Sequence, residues 1–194
     1  GDTSKLYNYA MSGKVKLSAE ELSVLQRFTS GSTFSNCYNL RKDSVYWRDK
    51  FKEKLRAFTT NLAEVRFQYT IIEEWSKSAD YVLDKMVRYN GITFRGLNDG
   101  GGPELRKALT EAFKSNTLWV NNASCSTSTR IGVAEKFDGD LIMVIHNKTG
   151  GYIRPSSTYD HECEVMTIRK TKYRVLRPPV KIGSRYFCEI EEII

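Results

Sequence analysis

The sequence predicts an α+β fold, with a helical N-terminal segment followed by a mostly antiparallel β core. Three observations predict it. Apolar residues recur at helical spacing up to about residue 88. From Asn90 onward they fall in short β-type runs. Turn signals such as Asp138-Gly139 and Thr149-Gly150-Gly151 separate those runs. The division falls at residues 1–88 and 89–194, and the two parts are expected to form one compact unit.

In the first part, Ser18-Ala19-Glu20-Glu21 has the form of a capping box. Ser18 can accept from the backbone N–H of Glu21, whose carboxylate can reach back to that of Ser18. Leu22, Leu25 and Phe28 follow at helical spacing, and Gly31-Ser32-Thr33 ends that helix. Further helical stretches are expected over roughly 43–57 and 62–88, the latter with Leu62, Val65, Ile72, Trp75, Val82 and Met86 among its apolar positions. The plain reading of this part is a packed helical layer without chemistry.

The second part opens with a strand at Ile92–Gly96 and a loop at Asn98–Gly102. Pro103 sits where the first turn of a helix tolerates it, and Leu105, Ala108, Leu109, Ala112 and Phe113 give that helix an apolar face. Strands at about 117–126, 140–146, 151–154, 163–168, 171–177 and 184–191 bring the total to seven, with a helix at about Arg130–Phe137. There is no internal repeat and no low-complexity tract.

Composition bounds the function without naming it. With 194 residues, 40% hydrophobic and 27% charged, the chain can bury a core. Its longest strongly apolar run, Leu141 to Ile145, is strand-sized and far short of the ~20 residues a membrane helix needs. The net charge of +7 is either attraction to an anionic partner or simply a basic surface. The cations form no run of five or six, which argues against a polybasic tail, and nucleic acid is not expected as a partner. Cys37, Cys125, Cys163 and Cys188 match no zinc or redox spacing and are expected as reduced thiols. With His146 and His161 the only histidines, no metal site is expected. The chain begins at Gly1 with no apolar signal-peptide core, as a processed chain does, so its start says little about destination.

Three short motifs carry chemistry. In Phe94-Arg95-Gly96 an arginine ends a strand, where its planar, always-charged fork can grip a pyrophosphate and the glycine lets backbone approach a ligand. The alternative is an ordinary solvated arginine. In Ser126-Thr127-Ser128 the two serines point one way and the threonine the other, so Ser126 can orient a carboxylate or a ribose hydroxyl. The alternative is a polar strand end with one hydroxyl capping the next helix. In Tyr159-Asp160-His161-Glu162-Cys163-Glu164 two glutamates two residues apart share one face of a strand, so both carboxylates can meet one cleft. Paired carboxylates suit chemistry through an oxocarbenium ion, one stabilising positive charge and the other handling a proton. A solvent-facing pair is the alternative.

Taken in order, with Arg95, Ser126 and Glu162 spaced by about 31 and 36 residues, the set resembles the R-S-E class of mono-ADP-ribosyltransferases. That class includes many bacterial toxins and effectors, phage enzymes and vertebrate ecto-enzymes. The resemblance covers about 90–194 and implies a two-sheet NAD-binding core preceded by a helical segment. It implies that NAD is the co-substrate, that no metal is needed, and that Arg95 binds the NAD phosphates. Ser126 would hold the catalytic glutamate and the nicotinamide-side ribose, with Thr127 and Ser128 supporting the strand. Glu164 would bind the ribose 2′-hydroxyl and stabilise the oxocarbenium ion, and Glu162 would activate the acceptor. Tyr159 would belong to a substrate-recognition loop at about Arg154–His161, and Phe137 is the aromatic available to stack on nicotinamide. Ser124 stands where the family often carries an aromatic.

In this family a glutamate at the position of Glu162 accompanies arginine modification, and a carboxylate suits an acceptor that arrives as a guanidinium. The expected partner is a host-cell protein, with the helical part recognising it or docking a chaperone or immunity protein. The expected setting is a secreted or translocated bacterial effector in a host cytosol, or a phage protein in a bacterial one. Two other readings stay open. The fold can serve a different acceptor (threonine, asparagine, a nucleic-acid base or water), or the chain is a basic binding or structural module.

Overall fold

The computed structural model describes residues 80–96, 102–121, 125–136, 139–152 and 164–194, together with Ser18, Ala19, Glu21, Glu53 and Lys77. Of the expected helical part, Ala19, Glu21, Glu53, Lys77 and residues 80–84 are helical, and residues 85–88 are not. The helix expected to run to 88 ends at 84: residues 85–87 leave it and Arg88 already opens a strand. The remaining residues of 43–57 and 62–88 lie outside the described ones. The capping box is formed. Glu21 N–H donates to Ser18 Oγ and Ser18 N–H to Glu21 Oε1, both at 3.1 Å. Lys85 Nζ meets Glu21 Oε2 at 2.7 Å, joining this helix start to the end of the helix at 80–84. That helix end is tied to the sheet by Arg88, whose Nη1 donates to Thr149 O at 3.1 Å and Nη2 to Asp84 Oδ1 at 2.6 Å. Arg169 adds a bond from Nε to Asp80 Oδ2 at 2.8 Å.

Among the described residues seven strands follow: β1 (Arg88–Gly96), β2 (Trp119–Asn121), β3 (Cys125–Ser128), β4 (Leu141–Tyr152), β5 (Glu164–Thr167), β6 (Thr171–Ile182) and β7 (Arg185–Ile193). Between them, among the described residues, lie the helices α1 (Gly102–Ser115) and α2 (Ile131–Ala134). The strand order is β1-β3-β5-β4-β7-β6-β2, and β1 also pairs with β4. Among the described residues, β4–β7 is the one parallel pair. Pairing runs β1–β3–β5–β4 and back to β1, closing a ring of four strands from which β7, β6 and β2 extend as a wing. The two expected sheets are thus hydrogen-bonded into one, with β4 in both. Its residues Leu141–His146 pair with β7 and its last two, Gly151 and Tyr152, with β5.

Where β4 changes neighbours its backbone needs other partners, and Glu192 supplies them. Glu192 Oε1 accepts from the N–H groups of Lys148 and Thr149 at 2.9 and 3.0 Å, and Oε2 from Thr149 Oγ1 at 2.5 Å. The expected break at Thr149-Gly150-Gly151 is therefore not a turn, and the strands foreseen at 140–146 and 151–154 are one. Gly150 is small for another reason: a Cβ there would lie 2.7 Å from Val165 Cγ1.

Other expectations also change. The stretch 117–126 is two strands at distant places in the sheet, β2 beside β6 and β3 between β1 and β5. β6 runs on through Pro178 and Pro179, because the register slips between Arg177 and Val180 and spares their missing N–H groups. The turn Gly183-Ser184, with Gly183 at φ +66°, returns the chain into β7. The helix foreseen at about Arg130–Phe137 is the shorter α2, and its cap residue Arg130 makes no side-chain capping bond. Ser128 Oγ instead accepts from Arg130 N–H at 3.0 Å.

The main core lies between α1 and the wing. Leu109 and Ala112 of α1 pack on Leu141, Met143, Ile145, Tyr173, Val175, Cys188 and Ile190, with Leu105 alongside. The one-sided spacing of Leu105, Leu109 and Ala112 is what a helix lying on a sheet requires. Phe113, assigned to that face from sequence, is 45% exposed instead. Asn116 at φ 52° ends α1, with Thr117 N–H donating back to Ala112 O at 3.0 Å. Cys125 and Cys188 are buried free thiols, while Cys37 and Cys163 lie outside the described residues. Among the described residues no helix is long and apolar enough to cross a membrane.

Candidate active site

The ring brings the first two motifs and the second glutamate of the third onto neighbouring strands. β3 lies between β1 and β5, with Phe94 opposite Ser128 and Ser128 opposite Glu164. Ser126, opposite Met166, is then the diagonal neighbour of Glu164 on the same face, within side-chain reach. Ser126 Oγ donates to Glu164 Oε2 in a short hydrogen bond. From the other side Arg95 Nη1 donates to Ser126 O at 2.7 Å. One serine thus receives the guanidinium on its carbonyl and offers its hydroxyl to the carboxylate. Arg95, Ser126 and Glu164 form a connected chain across three strands.

Burial sharpens the carboxylate's role. Glu164 is 3% exposed, and a charge that far from water needs hydrogen-bond partners to stay in place. Ser126 is exposed, so the hydroxyl that holds the buried carboxylate also faces solvent. Thr127 points the other way, as alternation requires, and its Oγ1 donates to Val165 O at 2.7 Å. Phe94 and Arg95 are half-buried and Gly96 is buried, paired with Ile142 at the end of β1. An oriented carboxylate next to a fixed cation can hold an anionic substrate and stabilise a positive charge developing beside it. Phe137, Tyr159 and Glu162 lie outside the described residues, as does the segment Arg154–His161.

Sequence reading did not foresee several residues that build this end of the sheet. Asn147 is 2% exposed, and its Nδ2 donates to Thr93 Oγ1 at 2.8 Å and to Gly91 O at 3.2 Å, fastening β4 to β1. Thr167 is 3% exposed and bonds to the backbone of Cys125. An asparagine and a threonine inside strands were the available signal, since neither is well placed in a buried strand without a partner.

At the level of sequence no protein-family model matches this chain, and no curated protein matches it. Solved structures do. The ADP-ribosyltransferase Vis, in complex with agmatine, superposes with a TM-score of 0.68 at 14% identity, over 98% of this chain and 82% of Vis. Vis is a toxin from Vibrio splendidus. The ADP-ribosyltransferase HopU1 of Pseudomonas syringae gives 0.66 at 14% identity, over 98% and 83%. The fold is that of the ADP-ribosyltransferases. Exoenzyme S from Pseudomonas aeruginosa, bound to human 14-3-3 protein beta and carba-NAD, shares this ADP-ribosyltransferase fold with a TM-score of 0.64 at 17% identity, over 99% and 82%. Identities this low leave the fold as what is shared, so the chemistry of this ADP-ribosyltransferase fold has to be argued from its own side chains.

Proposed function

We propose that this chain is an R-S-E class mono-ADP-ribosyltransferase that splits NAD and transfers ADP-ribose to an arginine of a target protein. The observation that carries the reading is the hydrogen-bonded connection of Arg95, Ser126 and Glu164 within an ADP-ribosyltransferase fold. NAD fits this donor set as substrate: a guanidinium for the pyrophosphate, a hydroxyl and a carboxylate for the ribose. The bond between the anomeric ribose carbon and the nicotinamide nitrogen breaks, and its electron pair leaves with neutral nicotinamide. The ribose is left as an oxocarbenium ion, which the Glu164 carboxylate stabilises while accepting from the 2′-hydroxyl. A guanidine nitrogen of the acceptor then bonds to that carbon, and Glu162 takes its proton.

Arg95 binds the phosphates, Ser126 holds Glu164, and Thr127 and Ser128 brace the strand. Phe94 and Gly96 flank the cofactor, Phe137 stacks on nicotinamide and Tyr159 meets the acceptor. Arginine as acceptor is supported by Glu162, and by the Vis complex with agmatine, an amine carrying arginine's guanidinium. The complex of Exoenzyme S with carba-NAD supports NAD as co-substrate. A toxin or effector role, secreted or translocated and acting on a protein in the host cytosol, is supported by the kinds of protein that share the fold. The helical part, 1–88, would recognise that target or dock a chaperone or immunity protein.

The test is incubation with labelled NAD and a cell lysate, with and without agmatine, comparing the chain with Glu164→Ala. Discrete labelled proteins and labelled agmatine, both absent in the variant, are expected, and hydroxylamine should release the label. Nicotinamide release with no labelled acceptor would reduce the reading to NAD hydrolysis. No turnover and no NAD binding would overturn it.

A further inference from the structure

We propose that Thr167, which lies outside every motif, is a positioning residue of the site: its hydroxyl fixes β3 so that Ser126 can hold Glu164. The inference rests on the catalytic reading of Ser126 and Glu164 given above. β3 is four residues long and meets β1 at one register position, Phe94 with Ser128, whereas all four of its residues pair with β5. The strand pairing of Ser126 is therefore with β5, and β1 adds one side-chain bond, from Arg95 to Ser126 O.

The Thr167 hydroxyl takes up both backbone groups of the residue before Ser126. Cys125 N–H donates to Thr167 Oγ1 at 3.1 Å, and Thr167 Oγ1 donates to Cys125 O at 3.4 Å. One hydroxyl has the acceptor and the donor for this pair of bonds. On the other side of Ser126, Thr127 Oγ1 donates to Val165 O at 2.7 Å. Ser126 is thus bracketed by side-chain-to-backbone bonds that cross between β3 and β5. Asn121 Nδ2 adds a contact to Cys125 Sγ at 3.0 Å.

All three anchor points are buried, Thr167 to 3%, Thr127 to 4% and Cys125 to 5% exposure. Water cannot replace the bonds if a hydroxyl is removed. A valine has nearly the shape of threonine and favours strands, so nothing in packing alone demands a hydroxyl at 167. Burying one without a use carries a penalty, and the use the geometry points to is alignment of Cys125 and hence of Ser126. A slip of one residue would turn Ser126 to the opposite face, and a smaller drift would open its bond to Glu164.

The experiment is steady-state nicotinamide release from NAD by the full chain and by Thr167→Val, Thr167→Ser, Thr167→Cys, Ser126→Ala, Glu164→Gln and the double variant Ser126→Ala/Thr167→Val. Thr167→Val should lower kcat ~10-fold with KM for NAD changed less than about twofold, since misplacement near the chemistry acts on the transition state. Thr167→Ser should restore kcat, and Thr167→Cys, with a weak hydrogen-bonding group of similar size, should fall between, so the proposal stays testable if the valine variant does not fold. In the Ser126→Ala background Thr167→Val should add nothing, because it acts through Ser126. Full activity in Thr167→Val, or an equal loss in both backgrounds, or a lowered melting temperature with kcat unchanged, would overturn the proposal. If the parent chain releases no more nicotinamide than Glu164→Gln, the catalytic reading has failed instead. Amide exchange at Cys125 and Thr127 then decides the clamp: it stands if Thr167→Val speeds exchange there and falls if exchange is unchanged.

Discussion

The wing of the sheet packs the larger apolar cluster, and the ring carries most of the buried polar residues among those described. Beneath α1, nine buried residues from the helix, β4, β6 and β7 form one apolar cluster: Leu109, Ala112, Leu141, Met143, Ile145, Tyr173, Val175, Cys188 and Ile190. Among the described residues the ring has a smaller apolar cluster of Tyr89, Tyr152 and Val165, with Val87 against it, and Ile142 and Met166 are also buried on its strands. Six of the seven buried polar residues among those described, Thr93, Thr127, Ser128, Asn147, Glu164 and Thr167, stand on ring strands. The seventh, Glu192, reaches from the wing to the backbone of β4. Apolar burial is non-directional and supplies stability, whereas hydrogen bonds are directional and supply position. Among the described residues, then, apolar burial is shared by wing and ring, whereas the directional bonds that set position are concentrated in the ring.

That division can be broken or sharpened by experiment. The largest effect should be on rate: Glu164→Gln, which keeps the shape but removes the charge, should cut nicotinamide release by ~10²- to 10³-fold with little loss of stability. A fall in melting temperature as large as that of a core truncation would erase the contrast. Next, Leu109→Ala in the wing, where the side chain is fully buried, should cost about 2–5 kcal/mol in denaturant unfolding. Its kcat, measured where the variant is folded, should match the parent. A specific loss of kcat would show that the wing also positions the site.

Smaller again, Gly150→Ala should destabilise by about 1–3 kcal/mol by overpacking, because the new methyl group meets Val165 at the switch of β4. Adding Val165→Ala should recover part of that loss, and a plain sum of the two changes would refute the close approach. The smallest effect concerns pH. Burial pushes the Cys188 thiol from its ordinary value of 9.0 up to about 12. The unfolded thiol ionises from about pH 9 while the folded one keeps its proton, so this contribution to stability is complete below pH 9 and lost as pH rises toward 12. Cys188→Ala should flatten urea-unfolding stability across that window, and an unchanged slope would contradict it.

How much of this was legible beforehand depends on the range of the forces involved. The capping box at Ser18–Glu21 and the helix face of Leu105, Leu109 and Ala112 were readable because their partners lie three to seven residues away. The end of α1 at Asn116 and the turn at Gly183-Ser184 are equally local, yet neither was foreseen, and Ser184 fell within an expected strand. Phe113 was misplaced because helical spacing marks a stripe but not its edge. The run 117–126 read as one strand because both pieces have strand character, and nothing local separates a partner in β6 from partners in β1 and β5. Thr149-Gly150-Gly151 read as a turn because glycine pairs usually are, whereas here the missing side chain makes room for Val165 on another strand.

By itself, then, the sequence determined the α+β class, the change from helix to strand near Asn90, and the order of Arg95, Ser126 and Glu164 along the chain. These follow from short-range propensity and from the chemistry of each side chain. Only the tertiary structure decided that β3 lies between β1 and β5, that β4 serves both ring and wing, and that Ser126 touches both Arg95 and Glu164. Strand pairing joins residues 31 and 38 positions apart in this site, and such contacts depend on which edges are free once every other strand has found its partner.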